Sequence, residues 1–207
     1  MKTPKSVAIV AMGMSSRTYV ITAAAMGGKQ AVADQVWAIN GMGGVIQHDM
    51  LFMMDDLSEL MRCDDVCAKG IAAWSAGNIS PIMTSKAYSE FPSSTEYPLE
   101  AVMNCIGSPY FNTTVAYAIA YAIYIQVETI KLYGCDFTYS DNHVGEAGRG
   151  CAEFLLGIAK ERGIEIILAS DTTLMDVCVP AKSKFYGYAT APKISREANG
   201  IFSVDMG

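Results

Sequence analysis

Short apolar runs, each closed by glycine or a polar residue, constrain this chain more than any other feature. They fall at residues 6–12 (SVAIVAM), Gln35–Ile39 (QVWAI), residues 50–54 (MLFMM), Thr129–Tyr133 (TIKLY) and residues 165–169 (EIILA). Runs this short and this continuous suit strands buried on both faces, which occur in parallel sheets covered by helices. Helical stretches separate them. One opens after Gly13-Met14-Ser15-Ser16 and ends near Gly27-Gly28; others span residues 57–68, 110–126 and 146–162, the last stopped by Gly163. In the 57–68 stretch Leu57, Leu60, Met61 and Val66 share one side. Residues 79–84 read as a further strand, Leu99–Ile106 also as a strand, and residues 88–98 as a loop. The alternation predicts an α/β fold, a Rossmann-like three-layer sandwich with a mostly parallel sheet. Residues 1–179 form this domain. Residues 180–207, with Tyr186, Tyr188 and several basic residues, show no helical or strand period and read as an arm or flexible tail.

Composition narrows the function classes. The chain has 207 residues, 51% hydrophobic and only 17% charged, which excludes intrinsic disorder. Its net charge of −6 argues against a broad nucleic-acid surface. No apolar run reaches the ~20 residues of a membrane helix, and the N-terminal apolar stretch reads as a first strand rather than an export signal. Cys63, Cys67, Cys105, Cys135, Cys151 and Cys178 are therefore expected as free thiols in a reducing cytoplasm. Cys63 and Cys67 share a helix face, but with two distant histidines a zinc set is not expected.

In a parallel sheet the strand tips lie along one edge, where ligands of such folds bind. Polar and glycine residues cluster at those tips. Gly13, Ser15 and Ser16 open a helix, where glycine admits close approach and free N–H groups attract phosphate. The turn is neither the dinucleotide fingerprint nor a P-loop. Asn40-Gly41 ends the second strand, either as a ligand contact or as a turn that tolerates left-handed backbone. Asp55 and Asp56 suit a divalent metal such as Mg²⁺, or a helix start. Thr113 and Thr114 enter the helix of residues 110–126 and suit an anionic ligand or simple capping. Gly134 and Asp136 end the TIKLY strand; the carboxylate can hold a ligand hydroxyl or anchor the neighbouring loop. Tyr139, Asp141, His143, Glu146 and Arg149 follow on a segment read as mobile. There His143 is the candidate general base, and Arg149 either contacts phosphate or pairs with Glu153 at i+4. Tyr110, Tyr117, Tyr121 and Tyr124 recur at helical spacing and read as core or as the interface of a homo-oligomer. If the tips form one pocket, Ser15→Ala with Asn40→Ala should weaken ligand binding and leave the melting temperature nearly unchanged.

Three blocks of sequence resemble a known group. VAIVAMGMSS is similar to the N-terminal G-x-G-P-S turn of the DUF115 proteins (MAF/MptE-like) and of the family-42 bacterial sialyltransferases. VWAIN resembles the second strand of that group, which ends in Asn. FNTTVAYAIAYAIYIQVETIKLYGCDFTY resembles its T-S/T-G-x-x-A…G-x-D block, the most specific part. Gly13, Ser15, Asn40, Thr113/Thr114, Gly134 and Asp136 match; Met12, Met14 and Gln126 depart, the last where the group often carries glycine. The resemblance implies a nucleotide bound at the strand tips of a Rossmann-like fold. Three functions follow as expectations: a nucleotide-sugar-dependent transferase using His143 or Asp136 as base; an MptE-like diphosphokinase using ATP and Mg²⁺ at Asp55/Asp56; and a non-catalytic nucleotide-binding protein.

Overall fold

In the computed structural model, residues 3–64, 66–138, 142–180, 185, 192–198 and 200–205 are described. Seven strands form one parallel sheet: β1 (Ser6–Val10), β2 (Gln35–Ile39), β3 (Met50–Phe52), β4 (Ile82–Thr84), β5 (Ser94–Glu96), β6 (Thr129–Tyr133) and β7 (Glu165–Leu168), in the order β5-β4-β3-β2-β1-β6-β7. Helices cover both faces, so the chain is a Rossmann-like three-layer α/β sandwich. Alternate residues of each central strand enter opposite layers. Val7, Ile9, Trp37, Ile39 and Phe52 pack beneath α4 (Leu99–Ile106), α5 (Thr114–Tyr124) and α6 (Asn142–Glu161). Ala8, Val10, Val36, Ala38 and Leu51 pack beneath α1 (Ser16–Met26), α2 (Leu57–Arg62) and α3 (Val66–Gly77). Both faces being apolar is what makes the strand runs continuous.

Several segments differ from the sequence reading. The 57–68 stretch is two helices: Cys63 turns to extended backbone (ψ 142°) after α2, and α3 runs on to Gly77. Leu57 is fully buried, but Met61 and Val66 are exposed, so the single apolar side does not form. Leu99–Ile106 is helical rather than extended. Val102 and Ile106 are its buried residues, one turn apart, and Gly107 closes it in left-handed backbone (φ 77°). The 88–98 loop contains β5, a polar edge strand. Helix α6 starts at Asn142, so His143, Glu146 and Arg149 lie on regular helix; Tyr139 and Asp141 lie outside the described residues. Past residue 180, Lys193–Arg196 (β8) and Phe202–Asp205 (β9) pair as an exposed antiparallel hairpin, while Tyr186 and Tyr188 are outside the described residues.

The central helix α5 packs between α4 and α6, with its alanines at 116, 118, 120 and 122 all buried. Tyr117 and Tyr121 are half-buried and pack against the core. Tyr97 donates a hydrogen bond to the Tyr117 carbonyl (3.0 Å), and the Tyr121 ring lies 5.7 Å from Trp37. Tyr110 and Tyr124 reach the surface. Gln126 adopts left-handed backbone (φ 61°), the conformation glycine would take most readily. Among the described residues no helix is long and apolar enough to cross a membrane, and the cysteines at 63, 105, 135, 151 and 178 are free thiols.

Candidate functional site

The chain builds outward from β1 in one direction as far as β5, then returns to place β6 on the other side of β1. The crevice beyond the strand tips at such a reversal is where ligands bind in open α/β sheets. A cavity of about 180 Å³ lies there. Its lining comes from three strand tips and one helix: Ala11, Met12 and Gly13 after β1; Ile39 and Asn40 at β2; Gly134, Cys135, Phe137 and Thr138 after β6; and Thr113, Thr114 and Val115 at the start of α5. Five residues singled out from sequence therefore share one cavity lining: Gly13, Asn40, Thr113, Thr114 and Gly134.

The β1 and β6 tips are locked together. Ala11 N–H donates to the Tyr133 carbonyl and Gly13 N–H to the Gly134 carbonyl, each at 2.8 Å. Ser15 N–H donates to Asp136 Oδ2 (2.7 Å), Ser15 Oγ–H donates to Asp136 Oδ1 (2.5 Å), and Gly134 N–H donates to Ser15 Oγ (2.8 Å). Thr173 Oγ1 donates to the Asp136 carbonyl. This approach requires glycine at two points. A Cβ on Gly134, whose φ is 68°, would lie 2.0 Å from the Ala11 carbonyl oxygen, and one on Gly13 would lie 2.6 Å from Asp136 Oδ2.

That clasp changes the roles expected of its members. Ser15 is fully buried and Asp136 is 4% exposed. Ser15 faces the carboxylate rather than a ligand, and both oxygens of Asp136 are engaged, which removes it as a free base. Ser16 lies behind the cavity wall, its N–H bonded to the Gly13 carbonyl at 3.0 Å. The amides of Gly13, Ser15 and Ser16, expected to attract phosphate, are all taken. The positive end of the α1 dipole is already met by the chain's own carboxylate.

Helix α5 offers the alternative. Its N-cap Thr113 is extended (φ −153°, ψ 147°) and makes no side-chain cap hydrogen bond. The first amides of a helix lack intrahelical partners, and Thr114 and Val115, which carry them, line the cavity. Asn40, in the same lining, adopts left-handed backbone (φ 50°), and its Oδ1 is buried without a hydrogen-bond partner. The turn reading of Asn40 is the one its backbone carries, and its side chain leaves one buried acceptor unsatisfied. No charged side chain is among the described lining residues. Burial pushes the Cys135 thiol well above its ordinary range, so it stands as a neutral S–H.

The other candidates sit apart. Gly41 lies under Met12, whose Sδ would be 3.3 Å from an added Cβ. Asp56 caps α2, accepting from Ser58 N–H (2.8 Å) and Glu59 N–H (3.4 Å), and its other oxygen pairs with Lys86 Nζ at 3.2 Å. Asp55 is exposed beside it. Among the described residues no group of three or more His, Cys, Asp or Glu gathers to hold a metal. Arg149 pairs with Glu153 (2.8 Å) and with Asp176 (2.7 Å), the i+4 pairing rather than a phosphate contact. His143 is exposed on the first turn of α6, outside the cavity lining. Phe137, Cys135 and Met12 were not singled out by sequence; the first two follow a matched glycine and would be reached by extending the β6 tip. No family model matches the chain, and the search of curated proteins found no relative.

Proposed function

We propose that this chain binds a nucleotide or nucleotide sugar at the tips of β1, β2 and β6, and acts as a transferase of the DUF115 and family-42 sialyltransferase type. One observation carries the binding part. At the sheet's reversal point, Asn40, whose Oδ1 is buried and lacks a partner, and the uncapped first turn of α5 line one cavity. A buried polar atom left unpaired costs about 1–3 kcal/mol, which a ligand donor there would recover. The first turn of α5 is suited to the phosphates. Transfer then needs an acceptor hydroxyl to attack the donor carbon as the nucleotide leaves, with its proton passing to a base. The exposed His143 is the remaining candidate for that base, because Asp136 is spent on Ser15.

A second reading is ligand binding without turnover. It is favoured by the absence of a carboxylate or imidazole from the described cavity lining. The diphosphokinase reading has less support, since Asp56 already serves as a helix cap and ion-pair partner.

Calorimetry with CMP, ATP and a CMP-sugar, with and without Mg²⁺, tests these readings. Asn40→Gly keeps the left-handed backbone and deletes the amide, and is expected to weaken binding about tenfold, in line with one lost hydrogen bond. Unaltered affinity would rule out this cavity as the site. Release of free nucleotide from the sugar donor supports transfer; metal-dependent AMP release from ATP supports the diphosphokinase; saturable binding without either supports the binding protein.

A further inference from the structure

We propose that Phe137 and Gly148 together set how deeply an uncharged ring of the ligand enters the cavity, and so act as its specificity-determining pair. The inference rests on the nucleotide reading above and names the part of the ligand that goes inside. Two facts select that part. No charged side chain is among the described lining residues, which disfavours burying phosphate there. The volume of about 180 Å³ is below the roughly 300–1,000 Å³ that whole small-molecule ligands occupy. A nucleoside ring fits these limits, with the phosphates kept to the cavity's rim at the first turn of α5.

Phe137 is the aromatic wall of the cavity, packed from behind against the core. Its backbone is left-handed (φ 52°), a conformation that bulky residues rarely adopt. Glycine would suit that backbone better, so a ring retained there against local preference points to a use for the ring. Gly148 stands directly behind it. A Cβ on Gly148 would lie 2.9 Å from Phe137 Cδ1 and 3.0 Å from Cε1, whereas carbon atoms rest about 3.5–4.0 Å apart. Helix α6 is held against this wall, with Asn112 Nδ2 donating to the Ala147 carbonyl at 3.0 Å. A methyl at 148 therefore displaces the ring that lines the cavity. Glycine inside a helix is otherwise unfavourable, and the Phe137 contact accounts for it here.

The experiment measures binding of adenosine, cytidine and inorganic pyrophosphate, alongside ATP and CMP, to the full chain and its variants. Gly148→Ala is expected to weaken the preferred nucleoside at least tenfold and to change pyrophosphate affinity less than twofold. Adding Phe137→Ala, which removes the displaced ring, should return the nucleoside to within about threefold of the affinity of Phe137→Ala alone. Phe137→Leu, which leaves Gly148 untouched, should lower nucleoside affinity at least fivefold and spare pyrophosphate. This variant decides the matter if Gly148→Ala fails to fold. Unchanged nucleoside affinity, or equal loss of nucleoside and pyrophosphate, overturns the pair's role. Binding of ATP or CMP with neither nucleoside bound overturns this inference alone. Binding of none of the five overturns the nucleotide reading and this inference with it.

Discussion

Ser15 and Asp136 stand 121 residues apart in sequence and meet at 2.5 Å in the site's clasp. Ser15 accepts from Gly134 N–H while donating to the carboxylate, so one hydroxyl satisfies a buried amide and a buried charge together. Ser15→Ala leaves the Gly134 amide unpaired and takes one donor from Asp136. The expected cost is about 1–3 kcal/mol, which for a chain of this length lowers the thermal midpoint by roughly 2–4 °C per kcal/mol. Calorimetric unfolding checks this, and an unchanged midpoint would show the clasp to be dispensable. The sequence reading expected Ser15→Ala with Asn40→Ala to spare the melting temperature. The structure places Ser15 in a buried clasp, so a loss of stability is expected of Ser15→Ala, while the proposed ligand contact is tested at Asn40. Nothing local in MGMSS announces this, because the partner of Ser15 is brought in by the β1–β6 pairing. What was legible at this scale was the tip grammar, in which glycine or Asn follows a buried strand, and it located Gly13, Asn40 and Gly134 in one cavity lining.

Among elements, the strands buried on both faces were legible because their signal is self-contained: β2 and β6 match their apolar runs residue for residue. Elements whose signal depends on a neighbour were not. Helix α4 has eight residues, and its apolar spacing becomes decisive only once α5 lies beside it. Strand β5 (STE) carries no apolar alternation and is recognisable only by its pairing with β4. The start of the sheet shows how such pairings are fastened. Asp34 Oδ2 accepts from Lys5 N–H (2.8 Å) and Ser6 N–H (3.0 Å), and Asp34 N–H donates to Ser6 Oγ (3.0 Å), tying the entry of β1 to that of β2. The Ser6 amide above all holds the Asp34 carboxyl below its ordinary value. A carboxylate depressed in this way contributes stability above the unfolded pKa of about 3.9, and that contribution is lost as pH falls through the folded value. Asp34→Asn should therefore lower the urea midpoint at pH 7, with the gap to the wild type closing below about pH 4. A gap that stays constant from pH 7 to pH 2 would refute the assignment.

Over the whole molecule, strand order decides where the chemistry can be. With β1 central and β6 added on its far side, residues near 13, 40, 113 and 134 meet at one crevice. The hairpin of β8 and β9 lies exposed and contributes nothing to the described cavity lining. The sequence conveyed the layers and the edge on which the cavity lies, but not which helix end would face it. Two helix starts compete there, α1 and α5, and the choice turns on Asp136, which occupies the first and leaves the second. This has a consequence for how the molecule meets an anion in solution. The attraction α1 would have exerted on an incoming ligand is neutralised internally, no cation is among the described lining residues, and the chain carries −6 overall. Encounter with a nucleotide should therefore proceed without long-range electrostatic steering. Raising sodium chloride from 20 to 500 mM should leave ATP affinity flat or slightly increased, as counterions screen a mild mutual repulsion; a steep fall would reveal a basic recognition surface instead.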